Sequence, residues 1–543
     1  MQALRTLIIS AASIALLNAC GGGGSSSGGT NPPVTGPNDG WVAGVYDDAS
    51  QFENQCANPR SGTDPATGSL YSDRQGSGVD EKNWLRSWSN DTYLWYQELP
   101  DLNPENDYSE FITERSPTEP NGYFSRLRTT ATTPSGKDKD NFHFVLDSQT
   151  WYELSQGGVS FGYGIEFAVL VPSPPRDVRI AYSQNTSQAA QLGMTRGTKI
   201  IAIDGEPVLD GDPNILNAGL SPDLAGEEHD FEVLLPGALE TQTFTLTAAE
   251  VAIDPLQNVK VIPTATGNVG YMAFHDHIAP AELALINATQ SLSQQGISDL
   301  VIDLRYNGGG YLDIASELGY MIAGNATLDR TFELLQFNDK YRNVNPVTGQ
   351  TISPIPFHTR ARGFSAPENQ PLPTLGGNLN RVFLLTGSGT CSASEALING
   401  LRGINFDVIQ IGATTCGKPY GYYPTPNCGS TYFTVQFKGV NAAGFGDYPD
   451  GFTPSSGGDL GATEVTGCYV ADDFDHALGD SGEARLAAAL YYRDNGTCPP
   501  ALGTQFMPSG GSGAPLGAGG QSMNLLPAEP SILKTPARRM RIL

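Results

Sequence analysis

The segment Arg381-Val-Phe-Leu-Leu-Thr-Gly-Ser-Gly-Thr-Cys-Ser-Ala-Ser-Glu-Ala-Leu-Ile-Asn-Gly400 gives the clearest indication of the fold class of this chain. It begins with an apolar run typical of a buried strand, continues through a Gly/Ser turn, and enters a helix at Ser392. A second apolar run at residues 408–411 leads into a loop that carries Lys418. A buried strand, a helix and another buried strand in succession predict an α/β layer with a mainly parallel sheet.

The same alternation extends over residues 255–500, which we interpret as one α/β domain. The predicted strands cover residues 269–274, 300–304, 382–385 and 408–411, and the predicted helices cover residues 279–295, 312–321, 394–401 and 482–492.

The segments outside this domain differ in composition. Residues 79–150 show helical spacing and predict a small helical N-terminal domain, whereas residues 155–252 carry short alternating runs typical of a β-rich domain. Residues 21–78 are rich in Gly, Pro, Ser, Asn and Asp, which predicts a flexible tether and loop. Residues 501–543 have a similar Gly/Pro/Ser bias and predict a disordered tail.

The charge excludes one class of partner. The 543 residues include 57 Asp and Glu but 31 Lys and Arg, so the formal net charge is -26. Such an acidic chain is repelled by phosphate backbones, and we therefore expect no nucleic-acid partner.

The first twenty residues predict an export signal. One cation, Arg5, precedes an apolar run that is too short for a spanning helix, as in a signal peptide. The run ends in Leu17-Asn-Ala-Cys20, which resembles the bacterial lipobox and predicts lipidation of Cys20. Asn18 is unusual in that motif, so cleavage by an ordinary signal peptidase is the alternative. The flanking glycines favour anchoring at the outer membrane, facing the periplasm or the cell surface.

Export bears on the remaining cysteines. An even number of cysteines in an oxidising compartment predicts up to three disulfides, although free buried thiols are the alternative and spacing does not give the pairing. These residues are Cys56, Cys391, Cys416, Cys428, Cys468 and Cys498.

Ser392 and Lys418 could act together as a nucleophile and its base. A serine at a helix N-terminus beside a desolvated lysine is a variant of the Ser-His-Asp arrangement, provided that burial lowers the lysine pKa. Read alone, Ser392 and Glu395 form a helix capping box, and Lys418 is a solvated loop cation.

A glycine nest at Gly308, Gly309 and Gly310 precedes a predicted helix and could bind negative charge. Phosphate is one candidate, but the usual nucleotide-binding spacings are missing. An oxyanion is the better one, with the amide of Ala393 as a second donor.

Two resemblances give these residues a context. Gly162-Tyr163-Gly164-Ile165 is similar to the carboxylate-binding loop of PDZ domains, and residues 197–205 are similar to their next strand and turn. This resemblance implies capture of a peptide C-terminus at those four residues by strand addition. The alternative is a small barrel used only for packing.

The segments Asp303-Leu-Arg-Tyr-Asn-Gly-Gly-Gly310, Ser392-Ala-Ser-Glu395 and Gly417-Lys418 resemble, in order and spacing, the C-terminal processing (tail-specific) serine peptidases, relatives of the tricorn core. The resemblance covers the PDZ-like segment, which is residues 155–252, and nearly all of residues 255–500. It implies that Ser392 is the nucleophile and Lys418 the general base. It also implies an oxyanion hole made by Gly310 or Gly309 together with Ala393.

The chain departs from this family pattern after the lysine. Pro419 replaces the usual glycine, and Tyr422 stands where a lysine-orienting glutamine is common. Tyr422 or Gln436 could take over that role. His275 and His277 could form a metal pair, but no third ligand follows nearby, so we expect no metal and a structural or cleft role.

The sequence therefore predicts an exported, lipid-anchored serine endopeptidase with a Ser-Lys dyad, acting on unstructured or C-terminally recognised polypeptides without a cofactor. One alternative is a non-catalytic peptide- or ligand-binding protein on the same scaffold. Another is a hydrolase of non-peptide esters. The oligomeric state stays open.

Overall fold

The computed structural model describes residues 40–65, 67–106, 122–222, 224–377, 379–500 and 531–532. The predictions for the signal peptide, for Cys20 and for most of the tail fall outside these ranges. The helices are α1 Gly78–Thr92, α2 Ser148–Tyr152, α3 Gln188–Gln191, α4 Pro213–Leu220, α5 Ala281–Gln294, α6 Leu312–Ala323, α7 Ala393–Gly403 and α8 Ala484–Asn495. Among the residues described, no helix is long and apolar enough to cross a membrane.

The strands, in chain order, are β1 Gln55–Cys56, β2 Arg74–Gln75, β3 Phe144–Asp147, β4 Val159–Gly162, β5 Ile165–Val171, β6 Asp177–Ser183, β7 Lys199–Ile203, β8 Glu206–Pro207, β9 Glu228–Leu234, β10 Gln242–Thr247, β11 Ala249–Ala252, β12 Leu256–Thr264, β13 Gly267–Phe274, β14 Asp299–Asp303, β15 Thr331–Phe337, β16 Ile355–Pro356, β17 Arg381–Thr386, β18 Asp407–Gly412, β19 Tyr420–Gly421, β20 Thr425–Asn427, β21 Ser430–Phe433, β22 Phe437–Val440, β23 Thr453–Ser455, β24 Glu464–Tyr469 and β25 Ser531–Ile532.

The central sheet has the order β12-β13-β14-β17-β18-β24-β23, and all of its pairs are parallel except β12–β13. Successive residues of β14 face opposite sides of the sheet. Ile302 packs in the core cluster that includes α5, α6 and α7, whereas Val301 packs in the cluster that includes α8. Strands buried on both faces read as continuous apolar runs, which explains why the α/β prediction is confirmed.

The carboxyl ends of β14, β17 and β18 lie at one edge of this sheet, because the three strands are parallel neighbours. The loops that follow carry the glycine nest, Ser392 and Lys418, respectively. Crevices at this edge are the usual ligand sites of open α/β sheets.

The β-rich segment forms an antiparallel sheet of order β10-β9-β7-β6-β5 with its own core. The loop before β5 needs glycine at residue 164, where φ is +68° and a Cβ atom would lie 2.6 Å from Ser187 Cβ. The outer edge of β5 pairs antiparallel with β25, with Val169 opposite Ser531. This edge can therefore accept an added strand, as the resemblance to PDZ domains implies.

The N-terminal segment packs against the part of the α/β domain that follows Lys418 in the chain. Strand β3 pairs with β21, and the stacked rings of Trp84 and Trp88 lie against Tyr432. A disulfide joins Cys56 to Cys428. The described part of residues 43–77 is mostly loop, and this bond joins it covalently to the α/β domain.

Helices α5 and α6 bring together two fully buried glutamates. Glu282 accepts hydrogen bonds from the amides of Gly363, Ser365 and Ala366, and Glu317 accepts one from Arg362. Burial, together with the charge of Glu282, raises the pKa of Glu317 to about 9. The folded protein therefore keeps a proton on Glu317 at neutral pH that the unfolded chain releases.

We expect Glu317→Gln to make stability less dependent on pH. Between the ordinary glutamate pKa and about 9, the folded state binds more protons than the unfolded state, so the free energy of unfolding falls as pH rises. Glutamine keeps the acceptor for the Arg362 amide but does not titrate. Thermal unfolding at pH 5 and pH 8 should show the variant gaining on wild type by up to about 1 kcal/mol per pH unit. Parallel curves, or the same gain in the exposed Glu368→Gln control, would contradict this account.

Candidate active site

Ser392 occupies a strained turn between β17 and α7. Its φ is +64° and its ψ is -117°, a backbone conformation that residues other than glycine rarely adopt. The residue is fully buried. Strained positive-φ serines at strand-to-helix turns present their hydroxyl group at the top of a sheet. The capping-box interpretation accounts for part of this geometry, because Glu395 accepts the Ser392 N–H at 2.9 Å.

Glu395 also binds the loop that carries the lysine. Its Oε2 accepts the N–H groups of both Ser392 and Lys418, at 2.9 and 2.8 Å. Its Oε1 accepts the Thr415 hydroxyl at 2.5 Å and the Gly417 N–H at 2.9 Å. Burial raises the pKa of Glu395, and these hydrogen bonds partly offset the effect. One carboxylate thus holds the backbones of Ser392 and Lys418 next to each other.

A disulfide makes a second connection between the same loops. Cys391 and Cys416 are bonded, with their Cα atoms 5.3 Å apart. A third disulfide joins Cys468 to Cys498, so the prediction of three disulfides is confirmed. Cys391, Cys416 and Glu395 are close together, yet they are no metal site, because the two sulfurs are bonded to each other.

The Lys418 side chain is fully buried among aromatic rings. Its Nζ lies 4.3 Å from the centroid of the Tyr422 ring and 5.2 Å from that of Phe142. These two rings are aromatic contacts of the amine among the described residues. Phe142 comes from the N-terminal segment, and no signal in the sequence pointed to it.

Of the two candidates for orienting the lysine, Tyr422 contacts it through its ring face. Gln436 is also fully buried, and its Oε1 accepts the Tyr423 N–H at 2.6 Å. Gln436 thereby holds the segment that follows β19. The Tyr422 ring covers one side of the Lys418 amine.

The loop between β14 and α6 that carries the glycine nest, called the glycine loop below, lies directly against the turn at Ser392, called the serine turn. A Cβ atom on Gly309 would lie 2.6 Å from Ser392 Cβ, and Cys391 donates its N–H to the Asn307 carbonyl at 3.0 Å. The Gly309 N–H donates to Asn307 Oδ1 at 2.9 Å. Because that amide is engaged within the loop, Gly310 is the better of the two candidate oxyanion donors.

The histidines after β13 support this loop. His277 is fully buried, shares a hydrogen bond of 3.0 Å with Asn307 Oδ1, and accepts the Tyr311 N–H on its carbonyl. His275 stacks on Tyr182 of the PDZ-like segment, with ring centroids 4.0 Å apart. These contacts agree with a structural role, which is one of the two roles expected for the pair.

A buried ion network joins the PDZ-like segment to the glycine loop. Arg196 donates to the Tyr306 hydroxyl at 2.7 Å and to Asp472 at 2.6 Å, and Arg305 donates to the same carboxylate at 2.7 Å. Burial alone would raise the pKa of Asp472, but Arg485, Arg196 and Arg305 hold it well below its usual range. No local sequence pattern predicts this network, since its members are far apart in the chain.

Comparisons with known proteins support the family that the sequence motifs indicate. Residues 268–435 match Peptidase family S41. The chain is 26% identical over 270 residues to the C-terminal processing peptidase, chloroplastic, of Tetradesmus obliquus, covering 47% of this chain and 49% of that protein. It is 24% identical over 291 residues to the carboxy-terminal processing protease CtpB of Bacillus subtilis (strain 168), covering 51% of each.

The chain spans about half the length of the curated relatives that it matches. A crystal structure from Bacteroides fragilis NCTC 9343, assigned to the S41 proteases, superposes with a TM-score of 0.54 at 21% identity. That superposition covers 76% of this chain and 97% of the other, and it supports the fold.

Proposed function

We propose that the protein is a serine endopeptidase in which Ser392 and Lys418 form the catalytic dyad, since residues 268–435 match Peptidase family S41. The observation that carries the proposal is the shared oxygen of Glu395, which brings the Ser392 and Lys418 amides within 2.9 Å of one atom. A strained serine and a buried lysine are thereby held side by side at the carboxyl edge of the sheet.

In this mechanism the neutral Lys418 amine takes the hydroxyl proton as Ser392 attacks the scissile carbonyl. The N–H groups of Gly310 and Ala393 stabilise the tetrahedral oxyanion. The protonated lysine then gives its proton to the leaving amine, and water hydrolyses the acyl-enzyme by the same route. The ring walls of Tyr422 and Phe142 keep the amine away from bulk water, so that it stays a base.

The substrates in this proposal are unstructured polypeptides whose C-terminus binds the PDZ-like segment. The carboxylate lies against Gly162, Tyr163, Gly164 and Ile165, and the peptide backbone adds to β5. The pairing of β25 with this edge supports strand addition there. Contacts of Arg196 with Tyr306 and Asp472 connect the PDZ-like segment to the loop that carries the glycine nest, which supports transfer of a captured peptide toward that loop.

We also propose that the protein is exported and anchored in the bacterial envelope through a lipidated Cys20. Three disulfides support an oxidising compartment, because cytosolic thiols are kept reduced.

Amidation of the substrate C-terminus tests the capture step. We expect an unstructured peptide with a free C-terminus to be cleaved with a KM about 10-fold lower than its amidated twin, because a charged carboxylate loses its hydrogen bonds on amidation. The kcat should change little, since the dyad is untouched. N-terminal acetylation of the same peptide is the control and should leave KM unchanged. Equal KM values for the acid and the amide would exclude C-terminal capture.

A further inference from the structure

The disulfide Cys391–Cys416 differs from the other two disulfides in what it connects. Cys391 immediately precedes Ser392, and Cys416 lies two residues before Lys418. Cys391 donates its N–H to the Asn307 carbonyl, and Cys416 donates its N–H to the Thr390 carbonyl, both at 3.0 Å. The disulfide therefore joins the turn at Ser392 to the loop that carries Lys418, and the Cys391 N–H connects both to the loop that carries the glycine nest.

This disulfide is also the one whose two cysteines both reach solvent. Cys391 and Cys416 are each half-buried, whereas Cys56 and Cys468, which belong to the other two bridges, are buried. Thiol–disulfide exchange requires a thiolate to reach a sulfur atom, so a soluble dithiol should reduce the Cys391–Cys416 bond first.

Reduction would act directly on the carboxylate that holds the dyad. Two electrons and two protons pass from the dithiol to Cys391 and Cys416, and the dithiol becomes a cyclic disulfide. Cys416 Sγ lies 3.4 Å from Glu395 Oε2, the atom that accepts the N–H groups of Ser392 and Lys418. The covalent bond between the two loops is lost. The new Cys416 thiol then competes with the N–H groups of Ser392 and Lys418 for Glu395 Oε2, the oxygen that still connects the loops.

We propose that Cys391 and Cys416 are positioning residues for the dyad, and that a dithiol switches off hydrolysis by reducing their bond while the fold persists. This inference rests on the proposed peptidase function. A serine and a base displaced by about 1 Å can lose a hundredfold in rate, so we expect kcat to fall about 10- to 100-fold on reduction. KM should stay close to its oxidised value, because the PDZ-like segment that captures the peptide contains no cysteine.

The test uses the full chain, titrated with dithiothreitol without denaturant and then alkylated with iodoacetamide. Peptide mapping identifies the cysteines that have been reduced, circular dichroism reports whether the fold persists, and kcat and KM are measured on one unstructured peptide. The expected result is a loss of kcat that parallels alkylation of Cys391 and Cys416, with recovery after reoxidation of an unalkylated sample. The double variant Cys391→Ser/Cys416→Ser should have the kcat of the reduced wild type without any reductant, and dithiothreitol should not change it further. The Cys468→Ser/Cys498→Ser variant is the matched control and should respond as wild type does.

Unchanged kcat when Cys391 and Cys416 are alkylated would overturn the inference and leave the peptidase assignment intact. The same holds if kcat falls only together with loss of the circular dichroism signal. If the oxidised wild type does not hydrolyse the peptide at all, both the inference and the proposed function fail. Should the double serine variant not fold, reduction of the native protein still decides the question.

Discussion

Ser392→Ala should lower kcat for an unfolded polypeptide by at least about 10⁴-fold while leaving peptide binding intact. The substitution removes one oxygen atom from a fully buried residue and keeps the strained turn. Glu395 still accepts the residue 392 amide, since that contact is with the backbone. Loss of turnover without loss of binding is the expected signature of a missing nucleophile.

Lys418→Met should have an effect of similar size, because methionine fills the aromatic pocket but takes no proton. Hydrolysis is measured as release of peptides from an unfolded protein, with binding followed by fluorescence anisotropy of a labelled peptide. Ser394→Ala and Lys438→Ala are the controls. Ser394 is the other serine of the motif and donates to the Asn307 carbonyl at 3.2 Å, so its loss should cost less than about tenfold.

Turnover by Ser392→Ala or Lys418→Met at the wild-type rate would contradict the assignment of the dyad. A wild-type protein that binds peptides but never cleaves them would instead favour a non-catalytic binding protein on the same scaffold. Fast ester cleavage without peptide cleavage would favour an ester hydrolase.

Glu395→Gln should lower kcat about 10- to 100-fold and also lower the free energy of unfolding. The carboxylate accepts four donors, so a glutamine NH₂ group must face donors on one side, whichever way the amide turns. The Ser392 turn and the Lys418 loop are then pushed apart. We expect KM to change little, because Glu395 lies in the α/β domain and not in the PDZ-like segment.

Thermal unfolding and steady-state kinetics on the same peptide separate the two effects of this substitution. The Glu317→Gln variant is the matched control, since it also neutralises a buried glutamate but lies outside the dyad, and its kcat should equal that of wild type. If Glu395→Gln lowered stability and left kcat unchanged, the carboxylate would be a support of the fold alone.

The α/β fold could be predicted because its strands are buried on both faces. Such strands leave continuous apolar runs, and the polar residues that follow β14, β17 and β18 necessarily meet at one edge of the sheet. Parallel order alone therefore brought the glycine nest, Ser392 and Lys418 together. The spacing of Ser392 and Glu395 predicted a capping interaction, and the structure confirms its backbone half.

What the sequence could not give are contacts between distant segments. The Cys56–Cys428 bond spans 372 residues, and neither spacing nor composition indicates such a pairing. Phe142 reaches Lys418 because β3 joins the sheet of β21, a pairing that no local pattern encodes. The contact of Arg196 with Asp472 depends in the same way on how two segments pack.

The most direct test of the Ser-Lys dyad is covalent labelling of the native protein with a fluorophosphonate, followed by intact mass measurement and peptide mapping. Such probes react with serines that a neighbouring base has activated. We expect a single adduct on Ser392 in the wild type at neutral pH and none in Lys418→Met. An adduct on another serine, or labelling of Ser392 that is equally fast in Lys418→Met, would contradict it.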